Sequence, residues 1–293
     1  MPKIRVNGLN VHYWQSGAGP HMVLVHGLGG NLAGWHLTMV PELQRDFRVT
    51  TYDLRGHGRS DAPPTGYTTR DMADDLCGLM DALHIEQASV VGHSWGADIA
   101  LHFGLVHGQR ASELLLIEPG LLAPFADRYR DKGWEGWPYV TSTLEGLLGA
   151  PIPPDKHADL EYLIKLLIEI PILYGPARGQ IRDEEVLQRV LDILMPVWKG
   201  DAPGGELTVE ALGRIPHRTL AIREANSVFL EAFEALRARM PRLTEALLPS
   251  GKLKHFTSLE QPERILEHIR AFLQPDRALP ALETPMTPPA ERR

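Results

Sequence analysis

The five residues Gly92-His93-Ser94-Trp95-Gly96 constrain this chain more than any other feature. They follow 88–91, which reads as a short strand, and lead directly into 95–107, which reads as a helix. A strand that becomes a helix within one tight turn has no room for bulky neighbours, and the flanking glycines leave that room. Such a turn lifts the serine hydroxyl above the end of a sheet and aims the first helical N–H groups toward it. Ser94 is therefore a candidate nucleophile. A surface serine in a glycine-rich turn is the bland alternative, and the flanking strand and helix argue against it.

The rest of the chain supports that setting. Residues 4–6 and 10–15 read as strands around the Asn7-Gly8 turn, 22–25 is an apolar run and 49–52 is another strand. Residues 70–83 switch to helical period, with Met72, Leu76, Leu79, Met80 and Leu83 on one stripe and Thr68 to Asp71 as a capping box. Strands at 88–91 and 114–117 bracket the helix at 95–107. This alternation predicts an α/β fold with a mostly parallel central sheet flanked by helices. The rhythm breaks after Gly120 and returns at 218–223, with a helix over 229–240, a strand over 243–248 and a last helix over 262–273. Between the two halves, 121–213 looks helical, with Leu- and Ile-rich stretches at 159–173 and 184–195, and reads as an inserted helical cap. The expected organisation is a core of 1–120 and 214–274, a cap of 121–213 and a Pro-rich disordered tail of 275–293.

A second glycine-rich loop, His26-Gly27-Leu28-Gly29-Gly30, follows the strand at 22–25. A dinucleotide loop would need a third glycine at position 32, which is Leu32, and no Lys-Ser/Thr pair makes it a phosphate loop. Its backbone can instead meet the elbow, so that the N–H groups of Leu28 and Trp95 converge on a developing oxyanion.

With HGLGG at 26–30, DLRGHGRSDAP at 53–63, GHSWGA at 92–97 and KHFTSLEQPE at 254–263, the chain resembles the α/β-hydrolase fold superfamily. The likeness is to its serine esterase and lactonase branch and covers the two core segments. It implies an α/β-hydrolase fold with a variable helical lid. Relatives that open epoxides or remove halide use an aspartate nucleophile, so serine at 94 implies acyl transfer. Asp53, Arg55, His57 and Asp61 read as contacts that fix their loop.

Of thirteen histidines, His255 stands where this family carries its base, although Lys254 replaces the usual preceding glycine. The acid departs from the pattern. The family slot about 28 residues before His255 reads Glu224-Ala225-Asn226-Ser227, with no aspartate. Three readings stay open: Glu118 at the tip of the apolar run 114–117, Glu224 near the usual slot, or no acid at all. Glu118 is favoured, because a carboxylate ending an apolar strand is costly without a partner. The zearalenone-hydrolysing lactonases, which the chain resembles in this respect, place a glutamate after strand six.

The cap is rich in large apolar residues. Trp134, Trp137, Leu167 and Trp198, with Trp35 from the core, are the expected pocket lining, and Trp95 is expected to face the pocket too. The competing reading is that a helical cap buries such residues in its own core. The expected substrate is a fairly bulky hydrophobic ester or lactone. Carbon–carbon hydrolysis of a diketone-type compound and a slow-turnover small-ligand receptor are the alternatives.

Charge and composition narrow the classes. Lys and Arg total 30 against 37 Asp and Glu, a formal charge of −7, which argues against a broad nucleic-acid footprint. A single cysteine, Cys77, excludes an internal disulfide framework or thiolate cluster. No metal-ligand motif and no organic cofactor is implied. The opening MPKIRVNG lacks a signal-peptide pattern and no apolar run is long enough to span a bilayer, so a cytoplasmic protein is expected. Oligomeric state, including a homo-oligomer, stays open.

Overall fold

Continuous apolar runs make the central strands, and the pleat divides each run between two faces. Met22 and Leu24 lie in one core cluster while Val23 and Val25 lie in the other, and Leu115 and Ile117 part in the same way from Leu114 and Leu116. A strand buried on both faces needs such a run rather than polar–apolar alternation. The computed structural model describes residues 2–169, 188, 191, 192, 205–252 and 254–274.

The sheet has eight strands in the order β1-β2-β4-β3-β5-β6-β7-β8. They are β1 (Lys3–Val6), β2 (Leu9–Ser16), β3 (His21–Val25), β4 (Arg48–Tyr52), β5 (Ala88–His93), β6 (Ala111–Ile117), β7 (Arg218–Glu224) and β8 (Leu243–Leu248). β1 and β2 pair antiparallel, β2 joins β4 antiparallel, and every later pairing is parallel. The weak strand expected near 243–248 therefore forms the sheet's edge.

In chain order the helices are α1 (Ala33–Thr38), α2 (Val40–Leu43), α3 (Thr69–Ala82), α4 (Trp95–Val106), α5 (Ala126–Arg130), α6 (Trp137–Leu148), α7 (Leu160–Glu169), α8 (Leu230–Arg239), α9 (Thr257–Glu260) and α10 (Pro262–Leu273). On one face α3, α4 and α8 bury Leu76, Met80, Ile99, Phe103, Phe233 and Leu236. On the other, α1 and α10 bury Trp35, Met39, Ile265 and Ile269. The capping box at the start of α3 is formed, with the Thr68 side chain taking the Asp71 N–H and the Asp71 carboxylate taking the Thr68 N–H.

Between β6 and β7 the described residues form α5, α6 and α7 and no strand. Tyr129, Trp134, Trp137, Leu144, Ile152 and Leu163 pack there as a separate cluster. The expected helix over 184–195 falls mostly outside the described residues, as do Trp198 and the expected tail. No helix of the described residues is long and apolar enough to cross a membrane.

Candidate active site

Parallel strands end at one edge, and the loops leaving that edge bring distant residues together. Ser94 follows β5, Glu118 follows β6, Glu224 closes β7, and His255 lies in the loop after β8.

The elbow is as tight as its glycines demand. A Cβ on Gly92 would stand 2.2 Å from the Gly96 carbonyl oxygen, and one on Gly96 would stand 2.3 Å from that of Val25. Ser94 itself sits at φ 55°, ψ −122°, a conformation costing on the order of 1–3 kcal/mol in a non-glycine residue. Its N–H is tied to the Ile117 carbonyl at 2.9 Å, which fixes the turn to the next strand.

Ser94 Oγ is 2.7 Å from His255 Nε2. Behind the imidazole, Nδ1 is buried with no hydrogen-bond partner, and the nearest carboxylate oxygen, Glu118 Oε2, is 3.9 Å away. That separation exceeds a hydrogen bond, and contraction of about 1 Å would complete one. Glu118 is 1% exposed and held at φ 50°. Its Oε1 accepts the Glu224 N–H and its Oε2 accepts the Ser227 hydroxyl at 2.7 Å. Ser227, in the slot where the family resemblance places an aspartate, thus holds the carboxylate that arrives from the neighbouring strand.

Glu224 points elsewhere. One of its oxygens accepts from the Thr257 hydroxyl and from Gln261, the other from the Gly251 N–H at 3.0 Å. All three partners lie in the segment that carries His255, so Glu224 anchors that loop. Burial, joined by the Glu118 charge, pushes the Glu224 carboxyl up, against these hydrogen bonds, which favour the ionised form.

His93 adds a support that the sequence did not single out. Its Nε2 lies 2.9 Å from the His255 carbonyl oxygen, to which it donates, and the two rings stand 5.2 Å apart. Asp98 adds another: its carboxylate accepts the Leu121 and Leu122 N–H groups at 2.9 and 2.7 Å, pinning the loop just after Glu118. Burial pushes the Asp98 carboxyl up to about 7, while the N–H groups of Leu122, Leu121 and Gly120 hold it down. A lone acid in the apolar stretch Ala97–Leu101 was a legible sign of such a role.

The Gly-rich loop after β3 is pinned by neutral imidazoles. His26 donates from Nδ1 to the Gly27 carbonyl and accepts the Leu54 N–H at Nε2, and His57 donates to the Arg55 carbonyl and accepts the Gly29 N–H. Asp53 accepts from His12, Leu32 and Arg59; burial raises its carboxyl, but these bonds and the nearby His26 hold it below the usual range. Arg55 makes a two-toothed pair with Asp75 at 2.6 and 2.7 Å, and Asp61 caps the Asn10 N–H. These four residues of the loop at 53–61 fix backbone. Leu28 lines the cavity around Ser94, and the Trp95 N–H is the first of α4, where no intrahelical acceptor exists.

Acid should loosen this arrangement. Burial pulls His57 down to about 4 and His93 to about 3, so both stay neutral in the fold while an unfolded chain takes up protons near pH 6.5. Their stabilisation is complete above that pH and is lost as pH falls toward the folded values, about 3 kcal/mol for His57 alone. Urea midpoints measured from pH 7 down to about pH 4.5 should fall more steeply in the wild type than in His57→Gln. Parallel curves would rule the His57 contribution out.

The family model for the alpha/beta hydrolase fold matches residues 20–181. The chain belongs to this family. Among its alpha/beta hydrolase relatives, the 2-hydroxymuconate semialdehyde hydrolase of a Pseudomonas species is 29% identical over 264 residues, 88% of either chain. The soluble epoxide hydrolase of a Corynebacterium species is 34% identical over 119 residues, 40% of this chain and 41% of that one. The chain thus spans about two-fifths of the epoxide hydrolases it matches. The enol-lactonase of Burkholderia xenovorans superposes with a TM-score of 0.65 at 22% identity, covering 93% of this chain and 99% of the other. An N-acyl homoserine lactone degrading enzyme gives 0.67 at 24%, covering 92% and 100%. At these identities the structures carry the fold, and the α/β-hydrolase expectation holds.

The pocket expectation needs correction. A cavity of about 180 Å³ contains Ser94 and His255 and is lined by Gly27, Leu28, Asn31 and Trp35. Trp134 and Trp137 do not line it. They stack edge to face at 5.5 Å in the cluster of α5–α7, and the Trp137 Nε1–H donates to the Asp131 carbonyl. Small helices must bury their own aromatic residues to hold together, and these two serve that need. Trp95 likewise turns inward, 2% exposed among the core residues of α3 and α4. The side chain of Leu167 and all of Trp198 lie outside the described residues. Instead, Tyr139, Val140, Leu144, Leu163 and Phe229 line a second cavity of about 180 Å³, which also touches His255 and Phe256. Among the described residues, no group of three or more His, Cys, Asp or Glu side chains is arranged to hold a metal ion.

Proposed function

We propose that this α/β hydrolase cleaves a carboxylic ester or lactone bond of a hydrophobic small molecule through an acyl-enzyme on Ser94. The observation that carries the reading is the 2.7 Å contact between His255 Nε2 and Ser94 Oγ at a strained strand–helix elbow. Serine is a weak nucleophile until a base removes its proton. His255 takes that proton as Ser94 Oγ attacks the carbonyl carbon, and the Leu28 and Trp95 N–H groups receive the oxyanion. Glu118 steadies the imidazolium through Nδ1. His255 then protonates the leaving alkoxide, the C–O bond breaks, and an acyl-serine remains. Water, deprotonated by His255, attacks the acyl carbon and releases the acid.

Carbon–carbon hydrolysis is the second reading, favoured by the relative named for 2-hydroxymuconate semialdehyde that matches 88% of the chain. A ligand receptor on this fold is the third. The experiment is steady-state hydrolysis of p-nitrophenyl butyrate beside a ring-cleavage diketone, counted per mole of active site. Many equivalents of nitrophenol per Ser94 with no diketone turnover is expected. Preferential diketone cleavage would replace the ester reading, and a burst of one equivalent that then stalls would favour the receptor.

A further inference from the structure

We propose that the second cavity takes the alcohol part of the substrate, and that its natural occupant is an aromatic alcohol group of benzyl size. This rests on the ester-hydrolase reading and concerns only which side of the ester bond carries the ring.

The two cavities share His255 and Phe256 but differ in everything else. The first includes the loop that carries Leu28, one of the two expected oxyanion donors, and it contains Asn31. The Asn31 Oδ1 is committed to the Ala33 N–H at 2.9 Å, which leaves its amide N–H groups for the cavity. The second contains no residue of that loop and is lined by aliphatic and aromatic carbon. Its one aliphatic hydroxyl, that of Thr143, is already engaged. The Thr143 hydroxyl donates to the Tyr139 carbonyl at 2.7 Å. Phe229 meets the His255 ring edge-on, with centroids 5.0 Å apart.

Reaction geometry assigns the two sides. In the tetrahedral intermediate the oxyanion points to the Leu28 and Trp95 amides, and the leaving oxygen must lie against His255 Nε2 to be protonated. The carbon attached to that oxygen therefore sits beside the imidazole, next to the chamber that His255 helps to wall. The acyl substituent keeps the remaining direction, toward Gly27, Asn31 and Trp35. Size follows from volume. An apolar cavity of about 150 Å³ holds one benzene, so 180 Å³ admits a phenyl ring with one or two further carbons.

Benzyl acetate and methyl phenylacetate test this directly. They are isomers that place the same ring on opposite sides of the ester, and their alcohols have similar acidity, so leaving-group chemistry is matched. Wild-type kcat/KM should favour benzyl acetate by about ten-fold or more, as expected for a ring buried in an apolar site. Val140 in α6 and Val228 in the loop before α8 both line the chamber, and Val228→Phe and Val140→Phe, which narrow it, should each bring that ratio toward parity. Equal rates or a preference for methyl phenylacetate would overturn the assignment, as would a wild-type preference that both variants leave unchanged. If Ser94 reacts with a fluorophosphonate but neither isomer is hydrolysed, the assignment falls and the activated serine stands. If neither labelling nor hydrolysis occurs, the ester-hydrolase reading falls with it.

Discussion

Replacing Ser94 with alanine is expected to abolish fluorophosphonate labelling and to lower kcat for ester hydrolysis by about 10⁴–10⁶-fold. The loss is large because base, acid and oxyanion donors act as a unit around one oxygen. Without that oxygen, His255 has nothing to deprotonate except water, and only the oxyanion site and binding remain. The fold should survive, since the strained turn depends on Gly92 and Gly96, on the tie from the Ser94 N–H to Ile117 and on the strand–helix junction, none of which involves the hydroxyl. Intact-mass detection of the labelled protein, with circular dichroism to confirm folding, checks both halves. Undiminished labelling of Ser94→Ala would place the nucleophile elsewhere.

The second large effect separates the two glutamates. Glu118→Gln should lower kcat by about 10³–10⁴-fold and slow labelling sharply, while Glu224→Gln should keep kcat within about ten-fold of wild type. The amide at position 118 can still accept the Glu224 N–H at its oxygen, and Ser227 can rotate to accept from its nitrogen, so the local structure holds. What changes is the tautomer. The face toward His255 Nδ1 becomes a donor, and the imidazole loses both the nearest acceptor that would keep Nε2 free for the serine proton and the charge that would stabilise the imidazolium. Glu224 does not face that nitrogen. Its oxygens serve Gly251, Thr257 and Gln261, and weakening them should lower thermal stability by about 1–3 kcal/mol. Parallel kinetic and melting measurements on the two variants decide it. A catalytic collapse in Glu224→Gln with a mild effect in Glu118→Gln would transfer the acid role to Glu224.

The central strands β3 and β6 were legible because each carries a short, continuous apolar run. β8 was the weakest strand: its Thr244, Glu245 and Leu247 are exposed at the sheet's edge, so the sequence signal was diluted there. Ser94 was legible because a tight turn announces itself through its glycines. Glu118 was legible as an anomaly, a carboxylate at the end of four buried apolar residues. His93 and Asp98 were not read as supports of the site, since each acts on backbone more than twenty residues away in sequence; only the isolation of an acid among apolar residues hinted at Asp98.

The misplaced tryptophans mark the same boundary. Burial of Trp134, Trp137 and Trp95 follows from their size and apolar character, but that Trp134 and Trp137 border a cavity away from Ser94 depends on how α5–α7 pack, and that Trp95 turns inward depends on the core around α4. By itself the sequence determined the layered architecture and the elbow, because periodicity and glycine placement are local consequences of sterics and apolar burial, while His255 was reached only through the family resemblance. Only the tertiary structure decided which carboxylate faces His255, which one anchors its loop, and that the apolar space divides into two chambers at the imidazole. Those are questions of direction between side chains from different strands, and direction is set by the packing of the whole sheet edge.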